Sequence, residues 1–273
     1  MSSRSEADFT TLPDDRPLAP LAVGETARDI ARVLLFHVRD FMRLALVPVL
    51  VAFALTGAAL ALQEVTWLRL FAMVVNLYLL VWFAGAVFRL LLLGPGPELH
   101  RPLPNWGPAE GRLVLRGLGL AGIVMLATMP ASMLFGSLGG GIGADGPQPG
   151  IWMLGPLIIA AIAASGLSFT LPAAAVGKGY SYKRAWRESK GALPQVFGLF
   201  AVIVLPVDLF IALLDLLLLR LQIATNLVIP RAAVGTVANY LSVALATTVL
   251  AVAFAKRTAW QRPNQGALQR HGA

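Results

Sequence analysis

The chain has 273 residues, of which 57% are hydrophobic and only 13% are charged. Soluble domains usually carry about 25% charged residues, so the composition excludes an ordinary soluble domain and indicates an integral membrane protein. The absence of cysteine excludes disulfides, thiolate metal ligands and cysteine catalysis. The net charge is +8, but no basic run is interleaved with aromatic residues, so we expect no nucleic-acid partner.

The two ends of the chain and a short stretch near its start differ from the apolar remainder. Residues 1–20 are polar and lack apolar periodicity, so we predict a disordered cytoplasmic tail. Residues 21–43 have the pattern of an amphipathic helix at the level of the lipid headgroups. Residues 44–255 form the transmembrane domain, and residues 256–273 form a basic cytoplasmic tail.

Four arginines define the amphipathic stretch. They fall within an arc of about 60° when successive residues turn by about 100°, and apolar side chains occupy the opposite side. These residues are Arg28, Arg32, Arg39 and Arg43. We expect them to contact anionic headgroups. The alternative is a helix that packs on the rest of the protein while its arginines face water.

Six apolar runs follow, and each is long enough to cross a hydrocarbon core of about 30 Å, which takes roughly 20 helical residues. The runs lie near Leu44–Leu62, Leu68–Leu93, Leu113–Leu138, Ile151–Val176, Val196–Leu219 and Val234–Ala255. Backbone groups in lipid must be paired within the segment, and the runs lack the alternation of barrel strands. We therefore predict an all-α fold of six transmembrane helices with amphipathic helices on the cytoplasmic side.

The basic residues predict the orientation. With the N-terminus in the cytoplasm, 19 of the 22 lysines and arginines lie on the inner side, and the outer side holds only Arg69, Arg220 and Arg231. Positive charge collects on the cytoplasmic side of membrane proteins. We therefore predict a multi-pass protein with both termini in the cytoplasm. The richness in Ala, Leu, Gly and Arg points to a bacterium, and so to an inner membrane.

Few polar residues lie inside the runs, and these form the candidate site. Asp208 and Asp215 are seven residues apart, so they share one helix face. Asn76 and Asn239 are candidate neutral partners. Ionisable groups at such depth usually face a protein interior or a water-filled cavity, which favours a proton- or cation-linked site. The alternative is that Asp208 is neutral and hydrogen-bonded for packing, while Asp215 lies at the outer interface beside Arg220.

The sequence predicts no catalytic, cofactor or metal site. The three histidines, His37, His100 and His271, all lie outside the six runs, and none of them pairs at metal-ligand spacing. Ser165, in the fourth run, therefore has no histidine at its depth to act as a base. We interpret Ser165 and its neighbour Gly166 as small residues for close helix packing.

A basic turn joins the fourth and fifth runs. Its residues Lys183, Arg184 and Arg187 are further candidates for contact with anionic headgroups. The stretch contains Leu-Pro-Ala-Ala-Ala-Val from Leu171, followed by Ser181, Ala185, Trp186, Ser189 and Gly191.

This stretch resembles bacterial six-helix inner-membrane proteins grouped with the membrane domain of glycerophosphoryl diester phosphodiesterases, including the YciC-like proteins. The resemblance in layout covers about Val23 to Arg257, and it implies a six-helix fold in the inner membrane. The catalytic domain of the phosphodiesterases has no counterpart in the chain. The resemblance therefore implies neither their activity nor a known site.

These observations favour a non-enzymatic membrane scaffold or accessory protein. Its expected partners are membrane lipids with anionic headgroups on the cytoplasmic side, and a membrane-protein partner is compatible with the pattern. The alternative is a small permease or proton-coupled transporter that uses Asp208. A cavity that reaches Asp208 would favour the transporter, whereas a tightly packed bundle would favour the scaffold.

Overall fold

The computed structural model describes residues 20–61, 65–95, 107–138, 162, 165–177, 180–225, 228–258 and 260. Within these residues the fold is helical and has no strand, which confirms the all-α class. The helices are α1 (Val23–Phe36), α2 (Val38–Ala61), α3 (Thr66–Leu93), α4 (Pro108–Leu138), α5 (Thr170–Ala175), α6 (Tyr182–Ser189), α7 (Leu193–Leu199), α8 (Leu205–Thr225) and α9 (Val228–Arg257). A 3₁₀ turn and a π-helical turn join α6, α7 and α8 into one continuous helical segment.

Four segments are long and apolar enough to cross a membrane, which makes the chain a membrane protein by length and composition. They are Val38–Ala59, Thr66–Leu93, Tyr182–Leu214 and Ala232–Arg257. These correspond to the first, second, fifth and sixth predicted runs. The third run lies on α4, and the described part of the fourth run, residues 162 and 165–176, includes α5. The rest of the fourth run and most of the two predicted tails lie outside the described residues.

Two clusters of buried side chains hold the helices together. One joins α1, α3, α7 and α9, and its centre includes Ile30, Phe88 and Phe254, each at most 1% exposed. The other joins α2, α3 and α9, and it includes Phe83 and Tyr240. Helices α3 and α9 contribute to both clusters and pack against each other. They therefore form the central pair of the described bundle.

The outer surface of the bundle is largely apolar. Leu46, Leu50, Met73 and Phe210 are each more than half exposed. An exposed apolar surface of this extent is unfavourable in water, whereas lipid chains solvate it without cost. The surface therefore agrees with the membrane location that the length of the helices indicates.

The predicted amphipathic helix is interrupted. α1 ends one residue before His37, and α2 begins one residue after it. The His37 Nδ1 and Asp40 Oδ2 atoms lie 3.0 Å apart across this break. On one straight helix Ile30 and Phe41 would lie on the same face, about 16 Å apart along the axis. Because of the break, α1 packs over α7 and α9, and the two side chains enter different clusters.

All four arginines of the amphipathic stretch are exposed. Two lie on α1 and two in the first turns of α2. Much of the apolar face of α1 packs on the protein, since Thr26 and Ile30 are buried, whereas Leu35 and Phe36 at its end are 77% and 82% exposed. The alternative interpretation predicted a helix that packs on the rest of the protein, and α1 packs in this way. The position of the arginines at the headgroups stays a prediction.

The fifth run contains an irregular turn shortly before Asp208. Residues Phe200–Val204 form a π-helical turn, after which the Leu205 N–H donates to the Phe200 carbonyl, five residues back. Pro206 follows, and a proline ring clashes with the carbonyl four residues before it and has no N–H to donate. The wider turn relieves that clash without ending the helix.

Candidate functional site

The basic segments that the sequence assigns to the inner side meet at one end of the bundle. This basic end consists of α1, the end of α3, the start of α4, α6 and the end of α9. The Trp260 indole N–H donates to the Leu92 carbonyl at 3.0 Å, which joins the residues after α9 to α3. The Tyr182 hydroxyl donates to the Arg116 carbonyl at 2.9 Å, which joins α6 to α4.

An ion pair fastens α1 to this end. The Lys256 Nζ atom lies 2.5 Å from Asp29 Oδ2, and Arg32 adds a second contact at 3.5 Å. The hydrogen bond and the charge of Lys256 hold the pKa of Asp29 below its usual value. Asp29 therefore stays ionised and engaged with α9, although the sequence places it beside the arginines of its own helix.

A buried ion pair joins α3 to α4. Arg89 Nη2 and Glu110 Oε1 lie 2.7 Å apart, and their side chains are 12% and 6% exposed. The other carboxylate oxygen accepts a hydrogen bond of 2.9 Å from the Gly107 N–H. This is half of a capping box, with Pro108 at the first helical position. One carboxylate thus both starts α4 and holds it against α3.

A second cluster of charged groups surrounds Glu188 on α6. Arg184 Nε lies 2.8 Å from Glu188 Oε1, and the Tyr180 hydroxyl also donates to this carboxylate. The guanidinium of Arg184 lies over the Tyr180 ring, 5.2 Å from its centre. Arg257 Nε donates to the Glu188 carbonyl at 3.1 Å, and a Cβ at Gly191 would lie 2.8 Å from Arg257 Nη2. Arg184, a predicted headgroup contact, is thus engaged within the protein.

The residues that carry the family resemblance have structural contacts. Ser181 caps α6, because its hydroxyl oxygen accepts from the Arg184 N–H at 3.2 Å. The Ser189 hydroxyl donates to the Gly166 carbonyl at 2.5 Å. The Trp186 ring lies against Gly166, where a Cβ would approach it to 2.3 Å. The motif therefore docks α6 onto the segment that contains Gly166, as expected for small residues at a close contact.

Asp208 lies on the outside of the bundle. It is exposed, and the Ser242 hydroxyl of α9 donates to its Oδ1 at 2.5 Å. It lines neither of the two cavities described below. The packing interpretation of Asp208 predicts a hydrogen bond of this kind. Sequence analysis did not identify Ser242 as the partner. The side chain of Asp215 lies outside the described part, and Arg220 is exposed.

Asn76 and Asn239 line a cavity of their own. The cavity has a volume of about 280 Å³ and lies between α2, α3 and α9; Thr56, Thr236 and Tyr240 also line it. We call it the asparagine cleft. It shares Thr56 and Asn76 with an open groove of about 490 Å³ along α2 and α3. The two asparagines expected beside Asp208 are therefore brought to one cavity, and Asp208 is not part of its lining.

Two polar atoms of the cleft have no hydrogen-bond partner among the described residues. They are Asn76 Oδ1 and the Tyr240 hydroxyl. Tyr240 is only 3% exposed, and its ring packs edge-on against Phe83 at 5.4 Å. A buried polar atom left unpaired costs about 1–3 kcal/mol. Sequence analysis missed Tyr240, because a single tyrosine in an apolar run has the pattern of a core residue.

Comparison with known proteins gives no relative for this arrangement: the chain matches no protein-family model, no curated protein and no solved structure. Within the described part of the chain, no three His, Cys, Asp or Glu residues lie close enough to hold a metal ion. The candidate sites are therefore the basic end, Asp208 with Ser242, and the asparagine cleft. The relation to the YciC-like proteins stays a hypothesis.

Proposed function

We propose that this chain is a six-span bacterial inner-membrane protein with both termini in the cytoplasm. It acts as a scaffold or accessory protein without catalysis of its own, and its basic end holds anionic lipid headgroups. The observation that carries the proposal is the convergence of α1, α4, α6 and the end of α9 at one end of the bundle. This convergence supports the orientation that the 19 inner basic residues predict.

The electrostatics of the basic end support a role in lipid binding. Each of the three carboxylates Asp29, Glu110 and Glu188 is already paired with a cation of the protein. The exposed cations of the basic end include Arg28, Arg32, Arg39, Arg43, Lys183 and Arg187, of which Arg32 also contacts Asp29. A surface of this sign attracts anionic headgroups, at about 1 kcal/mol for each basic residue near the membrane.

The rigid connections of the basic end support a role as a scaffold. Two ion pairs, and a hydrogen bond from the Trp260 indole to the Leu92 carbonyl, connect α1, α3, α4 and α9 at this end. The alternative, a proton-coupled permease that uses Asp208, has less support, because Asp208 lines neither cavity. The resemblance of the Leu171–Gly191 segment to six-helix membrane proteins is a further argument for the proposed architecture.

Reporter fusions test the six-span architecture. A fusion at Asp145 is expected to report a periplasmic location, and fusions at Lys183 and Arg262 a cytoplasmic one, because the inner segments hold 19 of the 22 basic residues. A periplasmic result at Lys183 would contradict the model of six spans. Fusions at Asp145 and Lys183 are informative together, since the fourth predicted span separates them.

The lipid role is tested with Arg39→Gln combined with Arg43→Gln in the full-length protein. Both arginines are exposed in the first turns of α2. We expect about tenfold weaker retention of phosphatidylglycerol in detergent micelles, measured by native mass spectrometry, because each arginine contributes about 1 kcal/mol before screening. Retention of the zwitterionic phosphatidylethanolamine is expected to change little.

The matched control removes positive charge from the opposite side. Arg69→Gln combined with Arg220→Gln alters the net charge equally but leaves the basic end intact. It is expected to retain phosphatidylglycerol like the wild type. Equal loss in both double variants would mean that only net charge matters, and the proposal of a lipid-binding basic end would then be wrong.

A further inference from the structure

The asparagine cleft offers hydrogen bonds without charge. Its described lining includes the amides of Asn76 and Asn239 and the hydroxyl groups of Thr56, Thr236 and Tyr240, but no carboxylate, lysine or arginine. A charged ligand would lose its water there without gaining a counter-charge, which is costly. A neutral ligand that can both donate and accept hydrogen bonds suits this lining.

The unpaired atoms specify the ligand further. The two threonine hydroxyls already donate to their own helices, Thr56 to Ala52 at 2.8 Å and Thr236 to Ala232 at 2.9 Å. The Asn76 Oδ1 and the Tyr240 hydroxyl remain unpaired. An amide oxygen needs a donor, and a phenol hydroxyl can donate or accept. A molecule with neighbouring hydroxyl groups can satisfy both atoms at once.

The size and the position of the cleft limit the ligand to a small molecule or a small group. Its volume of about 280 Å³ lies just below the usual range for ligand pockets, roughly 300–1,000 Å³. The adjoining groove is lined by Arg69, which lies near the start of α3, away from the basic end. Met73 and Leu77 on the groove are 64% and 54% exposed, so an acyl chain could lie beside them.

We propose that the asparagine cleft binds a neutral polyhydroxyl group, which is either a free polyol or the sugar headgroup of a glycolipid. Tyr240 and Asn76 bind its hydroxyl groups at the inner end of the cleft. Binding there would satisfy two buried atoms that the protein leaves unpaired. This inference goes beyond the proposed scaffold function, because it concerns the opposite end of the bundle and does not depend on the anionic lipids.

The absence of cysteine from the chain permits a direct test with single cysteine reporters. Thr236→Cys places a thiol in the cleft without removing an unpaired group, and Val237→Cys is the matched control. Val237 is the next residue on the same helix, is 55% exposed and does not line the cleft. The purified protein in lipid nanodiscs is treated with a charged, water-soluble maleimide, which reacts with the thiolate.

We expect Thr236→Cys to react at least about tenfold faster than Val237→Cys, since each unit by which apolar surroundings raise a thiol pKa removes about nine-tenths of the thiolate. Sorbitol is expected to slow the reaction at residue 236 if the ligand is a free polyol. If the ligand is a lipid headgroup, nanodiscs that contain monoglucosyl diacylglycerol slow it instead. Asn239→Cys, at the exposed rim of the cleft, provides a second reporter.

Tyr240→Phe separates binding from folding. If the Tyr240 hydroxyl binds a ligand, adding Tyr240→Phe to Thr236→Cys abolishes the protection of the thiol by sorbitol or the glycolipid. It leaves the unfolding midpoint of the ligand-free protein unchanged or raised, because an unsatisfied buried group is removed. Equal reaction rates at residues 236 and 237, protection by neither compound, or protection that survives Tyr240→Phe would each overturn the proposal.

Discussion

Glu110→Gln is expected to lower the free energy of unfolding by about 3–5 kcal/mol, the usual result of removing one partner from a buried ion pair. The two oxygens of Glu110 serve two groups, Arg89 Nη2 at 2.7 Å and the Gly107 N–H at 2.9 Å. A glutamine has only one oxygen and no charge. It therefore leaves one contact unmade and removes the negative charge that lies 2.7 Å from the Arg89 guanidinium, which is 12% exposed.

The measurement is reversible unfolding in mixed micelles of a mild detergent and dodecyl sulfate, followed by tryptophan fluorescence. Asp29→Asn is the control, because Asp29 is 38% exposed in its pair with Lys256, and exposed ion pairs contribute little to stability. Adding Arg89→Met to Glu110→Gln should restore part of the stability, since the guanidinium that Glu110 neutralised is then removed as well. An equal, small loss in Glu110→Gln and Asp29→Asn would mean that water reaches the Arg89 guanidinium.

The apolar runs predicted the long helices well, because length and hydropathy are local properties. The second run was expected to begin at Leu68 and end at Leu93, and α3 covers Thr66–Leu93. The sixth run was expected from Val234, and α9 begins at Val228. The six-residue difference arises because Pro230 and Arg231 interrupt the apolar pattern there, whereas a proline in the first turn of a helix is tolerated.

The breaks inside helices were only partly predictable. Pro206 is a recognisable signal for an irregular turn, and the π-helical turn at Phe200–Val204 lies just before it. The break at His37 has no comparable signal, because neither proline nor glycine marks it. It follows from tertiary packing, since Ile30 and Phe41 are buried in separate clusters.

The contacts between helices could not be derived from the sequence. The spacing of Gly107, Pro108 and Glu110 is a recognisable helix start, but nothing in it identifies Arg89 as the partner. Asn76 and Asn239 were identified as polar residues within spans, yet periodicity does not say which helices are neighbours. The cleft exists because α2, α3 and α9 pack together. Contacts between helices that are far apart in the chain cannot be read from local periodicity.

Gly166→Ala is expected to destabilise the protein by about 1–3 kcal/mol, as extra volume in a closely packed contact does. A Cβ at this position would lie 2.3 Å from Trp186 Cζ3 and 2.5 Å from Cε3, so the ring must move. The backbone cannot easily retreat, because the Gly166 carbonyl accepts the Ser189 hydroxyl at 2.5 Å. Relief of the clash should therefore loosen α6, which thermal unfolding in detergent would report as a lower midpoint.

Gly117→Ala is the matched control, since it makes the same substitution within a helix. A Cβ at Gly117 meets no atom within 4 Å, so alanine should stabilise α4 by up to about 1 kcal/mol through its higher helix propensity. Adding Trp186→Ala to Gly166→Ala removes the ring that the new methyl group meets. We expect that double variant to lose less stability than the sum of the two single variants. The clash contributes to the loss in Gly166→Ala but is absent from the double variant. Strictly additive losses would show that Trp186 and Gly166 do not touch, and that the motif from Ser181 to Gly191 holds α6 in some other way.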